Sequence, residues 1–355
     1  MTSAPVLVTP RQRWEAFEHQ CLAPWAAFAD ASAGRPRPEE PDPLRTCFQR
    51  DRDRILHAKA FRRLKHKTQV YIAPEGDHYR TRLTHTLEVM QVARTCARAL
   101  QLNEDLTEAI ALAHDLGHSP FGHLGEKHLS HEMEVRGVRQ GFHHNFQSLR
   151  IVDHLEHEGR GLNLSHEVRQ AIPAHSKGQA DSTLAMAPHV SLEAQVVKHA
   201  DRIAYLAADL EDAYRASMLV PGDLEAAGLG HLAHDVKAII RRAVTDLVEQ
   251  STGIAEVRLS QSALDEINAL KNFLFEQVYL TGKVQAEDQR IARLLAALFA
   301  SFDDDATYVR YLGEPPAESE ARIQATCDFI AGMTDRYAVR VLSDLMIPRE
   351  WSFPR

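Results

Sequence analysis

AHDLGHSPFGHLGE, residues 113–126, places three histidines and two carboxylates within fourteen positions and includes no lysine or arginine to neutralise the acids. Such a cluster calls for a cation. Upstream, Leu106, Ala109, Ile110, Leu112 and Ala113 recur at helical spacing, which predicts a buried helix over 104–118 with His114 and Asp115 near its end. Successive side chains on a helix diverge by about 100°, so a tandem imidazole and carboxylate can share one ion, and His118 returns to the face of His114. Gly117 and Pro120 then end the helix, and a second is expected to begin near His123, with Glu126 three residues on and within reach of its ring.

Composition agrees with a large helical protein. The 355 residues are 44% hydrophobic, enough for a sizeable core. Helix formers dominate and alternating β-branched runs are nearly absent, so the fold class reads as all-α. Cys21, Cys47, Cys96 and Cys327 form no CxxC pair and read as reduced cytosolic thiols. No apolar run approaches the roughly 20 residues of a membrane span, and the N-terminus lacks a signal core, so a cytoplasmic location is expected. The net charge of -8 argues against non-specific nucleic-acid binding, which relies on neutralising phosphates. Of 20 histidines only His19, His231 and His234 fall outside the span from His57 to His199, which places the chemistry in that region.

Outward from the cluster, TRLTHTLEVMQVARTCARALQL (81–102) reads as a helix capped by Thr81 or Thr84. Leu87, Met90, Ala93, Ala97 and Leu100 are expected on its buried side, and His85 in its first turn. GFHHNFQSLRIVDHLEHEG (141–159) reads as a helix with Phe146, Leu149 and Val152 or Ile151 inward. His143, His144 and Asn145 stand at its N-terminus, where an anion or a simple Asn145 cap would be favoured. SLEAQVVKHADRIAYLAADLEDAYRA (191–216) is strongly helical, and Asp201 beside its apolar stripe would cost several kcal/mol if buried unpaired. It must have a partner.

The flanks are plainer. RQRWEAFEHQCLAPWAAFA suggests a short helix with Trp14, Phe17, Cys21 and Trp25 on one stripe, and ASAGRPRPEEPDPLR (31–45) reads as a loop or mobile linker. Residues 46–70 read as an amphipathic helix with Phe48, Ile55, Ala58, Phe61 and Leu64 inward and an Asp51 to Arg54 pair. The stretch 158–190 reads as a mobile, lid-like segment apart from a short helix at SHEVRQAI. Further helices from about 220 onward are expected to serve packing and subunit contact.

His85, His114, Asp115 and Asp201 form a mixed nitrogen and oxygen set suited to Mn²⁺, Fe²⁺, Ni²⁺ or, less comfortably, Mg²⁺. Their order, H…HD…D across a helical chain, resembles the HD-domain phosphohydrolases. FQRDRDRILHAKAFRRLKHKTQV, RTRLTHTLEV, AHDLGHSPFGHLGE, FHHNFQSLRIV, HADRIAYLAADLEDA and FLFEQVYL, in this order, resemble the bacterial deoxyguanosine-triphosphate triphosphohydrolase family from about residue 40 onward.

That resemblance implies an HD-domain helical core over 46–220, an N-terminal extension with a Pro-rich linker over 1–45, and a C-terminal helical region over 221–355 in subunit contacts. It further implies metal-dependent hydrolysis of a deoxynucleoside triphosphate, dGTP or another, to deoxynucleoside and inorganic triphosphate. His85, His114, Asp115 and Asp201 would hold Mn²⁺ or Mg²⁺, with Fe²⁺, Ni²⁺ or Co²⁺ as further options. His123 would protonate the departing 5′ oxygen with Glu126 orienting it, while His118 and His144 contact phosphate oxygens. Arg82 and Arg202 match triphosphate-binding positions, Gln69, Tyr205 and Asp209 match residues around the deoxyribose, and Val70 matches an apolar position that crowds the 2′ carbon. Relatives form hexamers or tetramers and many are activated by dNTPs. A phosphohydrolase of another ester, such as a 5′-nucleotidase or single-strand exonuclease, would use the same ligands, and a catalytically silent dNTP sensor is the alternative of a different class.

Overall fold

Caps and stripes that the sequence carries locally set the helices of the described residues. A computed structural model of the chain describes residues 8–69, 80–176, 190–279 and 281–348. In order the helices are α1 (Pro10–Cys21), α2 (Cys47–His57), α3 (Arg82–Ala99), α4 (Glu104–Ala113), α5 (Gly122–Val135), α6 (His144–Arg150), α7 (His166–Ala174), α8 (Leu192–Arg215), α9 (Val236–Ser251), α10 (Gln261–Leu274), α11 (Gly282–Ser301), α12 (Ser319–Ala331) and α13 (Asp335–Met346). Short helical turns join several of them. The described residues contain no strand, only one isolated antiparallel bridge between Thr68 and Thr81. The fold is all-α, as expected.

Caps fix the register of the elements that matter. Thr46 accepts the N–H of Gln49 while the Gln49 side chain accepts the N–H of Thr46, Asn103 accepts from Leu106 at 3.1 Å, and Ser191 accepts from Ala194. The main core joins α2, α3, α4, α7 and the first half of α8, with Phe48, Ile55, Leu64, Val89, Ala93, Ile110, Leu112, Val168 and Val196 fully enclosed. A second cluster seats Leu129 and Met133 of α5 against Leu295, Phe299, Ile330 and Val341 of the C-terminal helices. A third packs the far half of α8 on α9 and α10.

Several faces differ from the periodicity reading. Leu87 is 42% exposed, because α3 is gripped by α4 and α8 along Val89, Val92, Ala93, Cys96 and Ala97. Phe146 is 60% exposed, its helix turning Gln147 and Ser148 inward instead. Trp14 and Phe17 also face outward. The 46–70 segment is not one helix: it breaks at Ala58, where Glu156 accepts the N–H of Ala60 at 2.7 Å.

The expected Asp51 to Arg54 pair does not form. Asp51 is buried against Arg35 and accepts the N–H of Ser165 at 2.9 Å, while Arg54 reaches Glu39 and the carbonyls of Leu162 and Asn163. Arg35 and Glu39 belong to the Pro-rich segment, so that segment is pinned to the core rather than loose. Likewise Leu162, Leu164, Val168 and Ile172 are buried, which removes 160–176 from the lid-like stretch; 177–189 lie outside the described residues.

Two contacts tie residues 113–126 to the far end of the chain, one direct and one through Lys67. Asp335, at the start of α13, accepts the N–H of Phe121 at 3.0 Å and both the N–H and hydroxyl of Thr68. Phe121 needs that anchor, since its φ of 63° is costly for a side chain of its size. The buried Lys67 ammonium donates to the carbonyls of His118 and Ala331.

Candidate metal centre and histidine row

The helix α4 ends at Ala113, and its unpaired C-terminal carbonyls decide how the next residue presents its ring. His114 lies in the first non-helical position with helical φ and ψ, and its Nδ1–H donates to the carbonyl of Ala111 at 2.7 Å. Nδ1 being the donor, Nε2 is a bare lone pair. That atom is buried with no hydrogen-bond partner among the described residues, while carboxylate oxygens of Asp115 and Asp201 stand 3.7 and 3.8 Å from it. Those separations are too long for hydrogen bonds. His85, from the first turn of α3, brings Nε2 to 3.0 Å from the same Asp201 oxygen. Donor atoms of His85, His114 and Asp115 lie within 4.8 Å of one another.

Lone pairs of an imidazole and two carboxylates converging in a buried space repel each other unless a cation lies between them. The donor set therefore fits a divalent ion, with oxygen and nitrogen ligands and no thiolate. The fixed His114 tautomer is the outer-shell arrangement that such ligands need. Asp201, whose partner the sequence could not name, has found His85.

Arg82 is 1% exposed and donates to the second oxygen of Asp115 at 2.7 Å, with a longer contact to the Gln69 carbonyl. Its guanidinium thus orients a carboxylate of the centre. Burial opposes ionisation of Asp115, but positively charged neighbours, the Arg82 guanidinium among them, outweigh it and hold the carboxyl well below the usual range.

Beside the centre runs a row of rings. His118 is buried and stacks on His144 with centroids 4.3 Å apart and planes 14° apart; His123 meets His118 edge-on at 5.0 Å. His123 is the solvent end of the row, its side chain 63% exposed. Glu126 does approach His123, at 3.3 Å from Nδ1, but it binds His144 more closely, at 2.8 and 2.9 Å from Nδ1 and 2.9 Å from the backbone nitrogen. Burial would raise the Glu126 carboxyl; its hydrogen bonds from His123 and His144 reverse this and hold it far below the carboxylate range. Burial lowers His144 too, yet Glu126 raises it overall, whereas burial with Arg82 and His144 nearby drives His118 well down.

One ring in this space was not anticipated. His175, after α7, is 4% exposed, edge-on to His114 at 5.1 Å, and its Nε2 lies 3.3 Å from Nε2 of His144. Its segment had read as a lid. The available signal was a second helix ending in histidine, since the ring donates Nδ1–H to the carbonyl of Ile172 as His114 does to Ala111.

Close packing explains the glycines of the motif. A Cβ at Gly117 would stand 2.1 Å from the Ser148 nitrogen and 2.4 Å from the His144 carbonyl oxygen, and at Gly125 only 1.8 Å from the carbonyl oxygen of Pro120. Ser148 meanwhile ties the turn to α6, donating to the His114 carbonyl at 2.7 Å and accepting from the Gly117 N–H at 2.8 Å. Gly117→Ala is expected to push α6 away from the turn, costing about 1–3 kcal/mol of stability as overpacking does. Because such a displacement of about 1 Å is costly for catalysis, turnover should fall about 10²-fold. Thermal denaturation and steady-state kinetics check both; a variant with wild-type values would show that the turn yields without cost.

Two sequence families match the chain, one described as HD domain over residues 82–206 and one as phosphohydrolase-associated domain over 257–344. A deoxyguanosinetriphosphate triphosphohydrolase-like protein of Caldanaerobacter subterraneus subsp. tengcongensis is 47% identical over 341 residues, covering 96% of this chain and 97% of the relative. Proteins so described from Desulfatibacillum aliphaticivorans and Clostridium perfringens are each 42% identical, over 96% of this chain and 99% and 98% of theirs. The chain belongs to the deoxyguanosinetriphosphate triphosphohydrolase-like family. It is an HD-domain phosphohydrolase.

The remaining expected residues of this phosphohydrolase stand on several elements. Gln69 is buried with Oε1 lacking a partner among the described residues; Val70 lies outside them. Along α8, one and two turns beyond Asp201, come Tyr205 and Asp209, the latter accepting from the Tyr279 hydroxyl and pushed up to about 7 by burial. Arg202 is buried and donates to Asn268 of α10 at 2.6 Å. Among the described residues no helix is long and apolar enough to cross a membrane.

Proposed function

We propose that the protein hydrolyses deoxynucleoside triphosphates, dGTP among them, to deoxynucleoside and inorganic triphosphate. The observation that carries this reading is the Nε2 of His114, without a partner among the described residues and facing two carboxylates, next to a row of three histidines anchored by the half-buried Glu126. A divalent ion held by His85, His114, Asp115 and Asp201, Mn²⁺ or Mg²⁺ with Fe²⁺, Ni²⁺ or Co²⁺ also suited to these donors, supplies charge stabilisation at the phosphate.

The chain's own groups supply the rest. His118 and His144 donate to phosphate oxygens, where hydrogen bonds gain strength as charge spreads in the transition state. When the bond between the α-phosphorus and the 5′ oxygen breaks, the departing oxygen needs a proton. His123, whose Nδ1 faces Glu126, has Nε2 directed away from that carboxylate and serves as the acid. Arg202 takes the outer phosphates and Arg82 steadies Asp115. Gln69, Tyr205 and Asp209 receive the deoxyribose, and Val70 disfavours a 2′ hydroxyl, which would find no hydrogen-bond partner there. A homo-oligomer and activation by a second dNTP are part of the same reading.

Incubating the purified protein with each dNTP, singly and mixed, with Mn²⁺ or Mg²⁺, and resolving products by ³¹P NMR tests it. Inorganic triphosphate with deoxynucleoside is expected, and turnover confined to mixtures would reveal activation. Orthophosphate or pyrophosphate, or no product under any condition, would overturn the reading.

A further inference from the structure

We infer that His175 is a positioning residue for His144, holding that ring from the side opposite Glu126. The inference rests on the reading above, in which His144 donates to a phosphate oxygen.

The hydrogen bonds leave little freedom. Nδ1 of His144 faces both oxygens of the Glu126 carboxylate, which only accept, so that nitrogen carries hydrogen. On His175, Nδ1 faces the Ile172 carbonyl and carries hydrogen for the same reason, which leaves its Nε2 a lone pair. The two Nε2 atoms are 3.3 Å apart. Two lone pairs at that distance would repel, so the hydrogen between them belongs to His144 and His175 accepts it.

The clamp on His175 is itself built. Asn145, the residue after His144, donates its side-chain amide to the carbonyls of Pro173 and Ser176 at 2.8 and 3.2 Å, gripping the backbone on both sides of His175. Helices α6 and α7 thus cannot shift without carrying both rings. A flip of the His144 ring about its last torsion would forfeit the acceptors at both ends at once. His175 accordingly keeps the Nε2–H of His144 in place until a phosphate oxygen takes it over. It touches neither substrate nor reacting atoms. Its contribution differs from that of a ligand to the ion: its only lone pair is spent on His144.

The test compares His175→Leu, which fills the space without an acceptor, with His175→Gln, whose amide oxygen restores one. Loss of an outer-shell partner typically costs about 10- to 100-fold. His175→Leu is expected to lose that much in kcat, with KM and calorimetric Mn²⁺ affinity within about threefold of wild type, and His175→Gln to recover most of the kcat. A kcat for His175→Leu equal to wild type, a His175→Gln as impaired as the leucine variant, or a parallel loss of Mn²⁺ would each overturn the inference. A second readout stands apart from activity. In long-range ¹H–¹⁵N spectra of the metal-free, histidine-labelled protein, with His144 assigned by its loss in His144→Gln, the Nε2 resonance of His144 should move in His175→Leu and return in His175→Gln. An unmoved resonance overturns the inference even in an active enzyme. A wild type that hydrolyses no dNTP sinks the functional reading and leaves this spectrum to decide on His175.

Discussion

His123→Ala is expected to lower kcat by about 10²- to 10⁴-fold, the usual contribution of a positioned general acid, while divalent-metal affinity stays at the wild-type value. His123 stands at the solvent end of the row and bonds none of His85, His114, Asp115 and Asp201, so its removal leaves the proposed metal ligands and their hydrogen bonds intact. Its Nδ1 is turned to Glu126 at 3.3 Å, which leaves Nε2 for the leaving oxygen. Stability should hardly change, because an exposed imidazole contributes little burial. Glu126 keeps its shorter bonds to His144 and remains seated. Kinetics paired with isothermal calorimetry separate the two quantities. Near-wild-type turnover would remove His123 from the acid role and pass it to a bound water.

Asp115→Ala is expected to abolish both metal binding and hydrolysis and to destabilise the fold, whereas Asp201→Ala should lose metal and activity with little loss of stability. The contrast comes from Arg82. Its guanidinium is almost fully enclosed and its ion pair is with Asp115, so deleting that carboxylate strands a buried charge, at about 3–5 kcal/mol. Asp201 is a quarter exposed; its removal gives up the hydrogen bond with His85, at about 1 kcal/mol, and relieves its crowding against Nε2 of His114 in the metal-free protein. Thermal denaturation with and without Mn²⁺ reads both effects. Ligand at 100 times its Kd should stabilise the wild type by about 2.7 kcal/mol and neither variant at all. A metal-dependent rise in Tm surviving in Asp115→Ala would remove Asp115 from the ligand set.

The centre was legible because its ligands announce themselves locally. His114 and Asp115 are adjacent, and an acid beside the apolar stripe of α8 demanded a partner; the helix expected to run to 118 stops earlier, at Ala113, so both ligands follow it instead of standing on it. What stayed hidden depends on elements meeting from a distance. Arg82 matches a triphosphate-binding position in the sequence, and only the fold sets Asp115 against it; Asp51 reads as paired within its own helix until Arg35 arrives from the Pro-rich segment. His175 was hidden for another reason: its helix is short and carries Pro173 inside, and His175 follows its last residue, so nothing marks that ring as central. Leu87 and Phe146 show the limit of stripe reading on helices flanked from more than one side. A stripe started one residue out of phase still looks regular.

Asp335 gives the molecule an unexpected chain of command. A single carboxylate, more than two hundred positions downstream, sets the backbone of the left-handed turn at Phe121, and the next residues are Gly122 and His123. The same carboxylate seats Thr68, next to Gln69 on the sugar side. A change in the C-terminal helices would therefore be felt at the proposed proton donor and at the residue proposed to receive the sugar together. The two matched segments, 82–206 and 257–344, are thus tied into one working part by a single side chain.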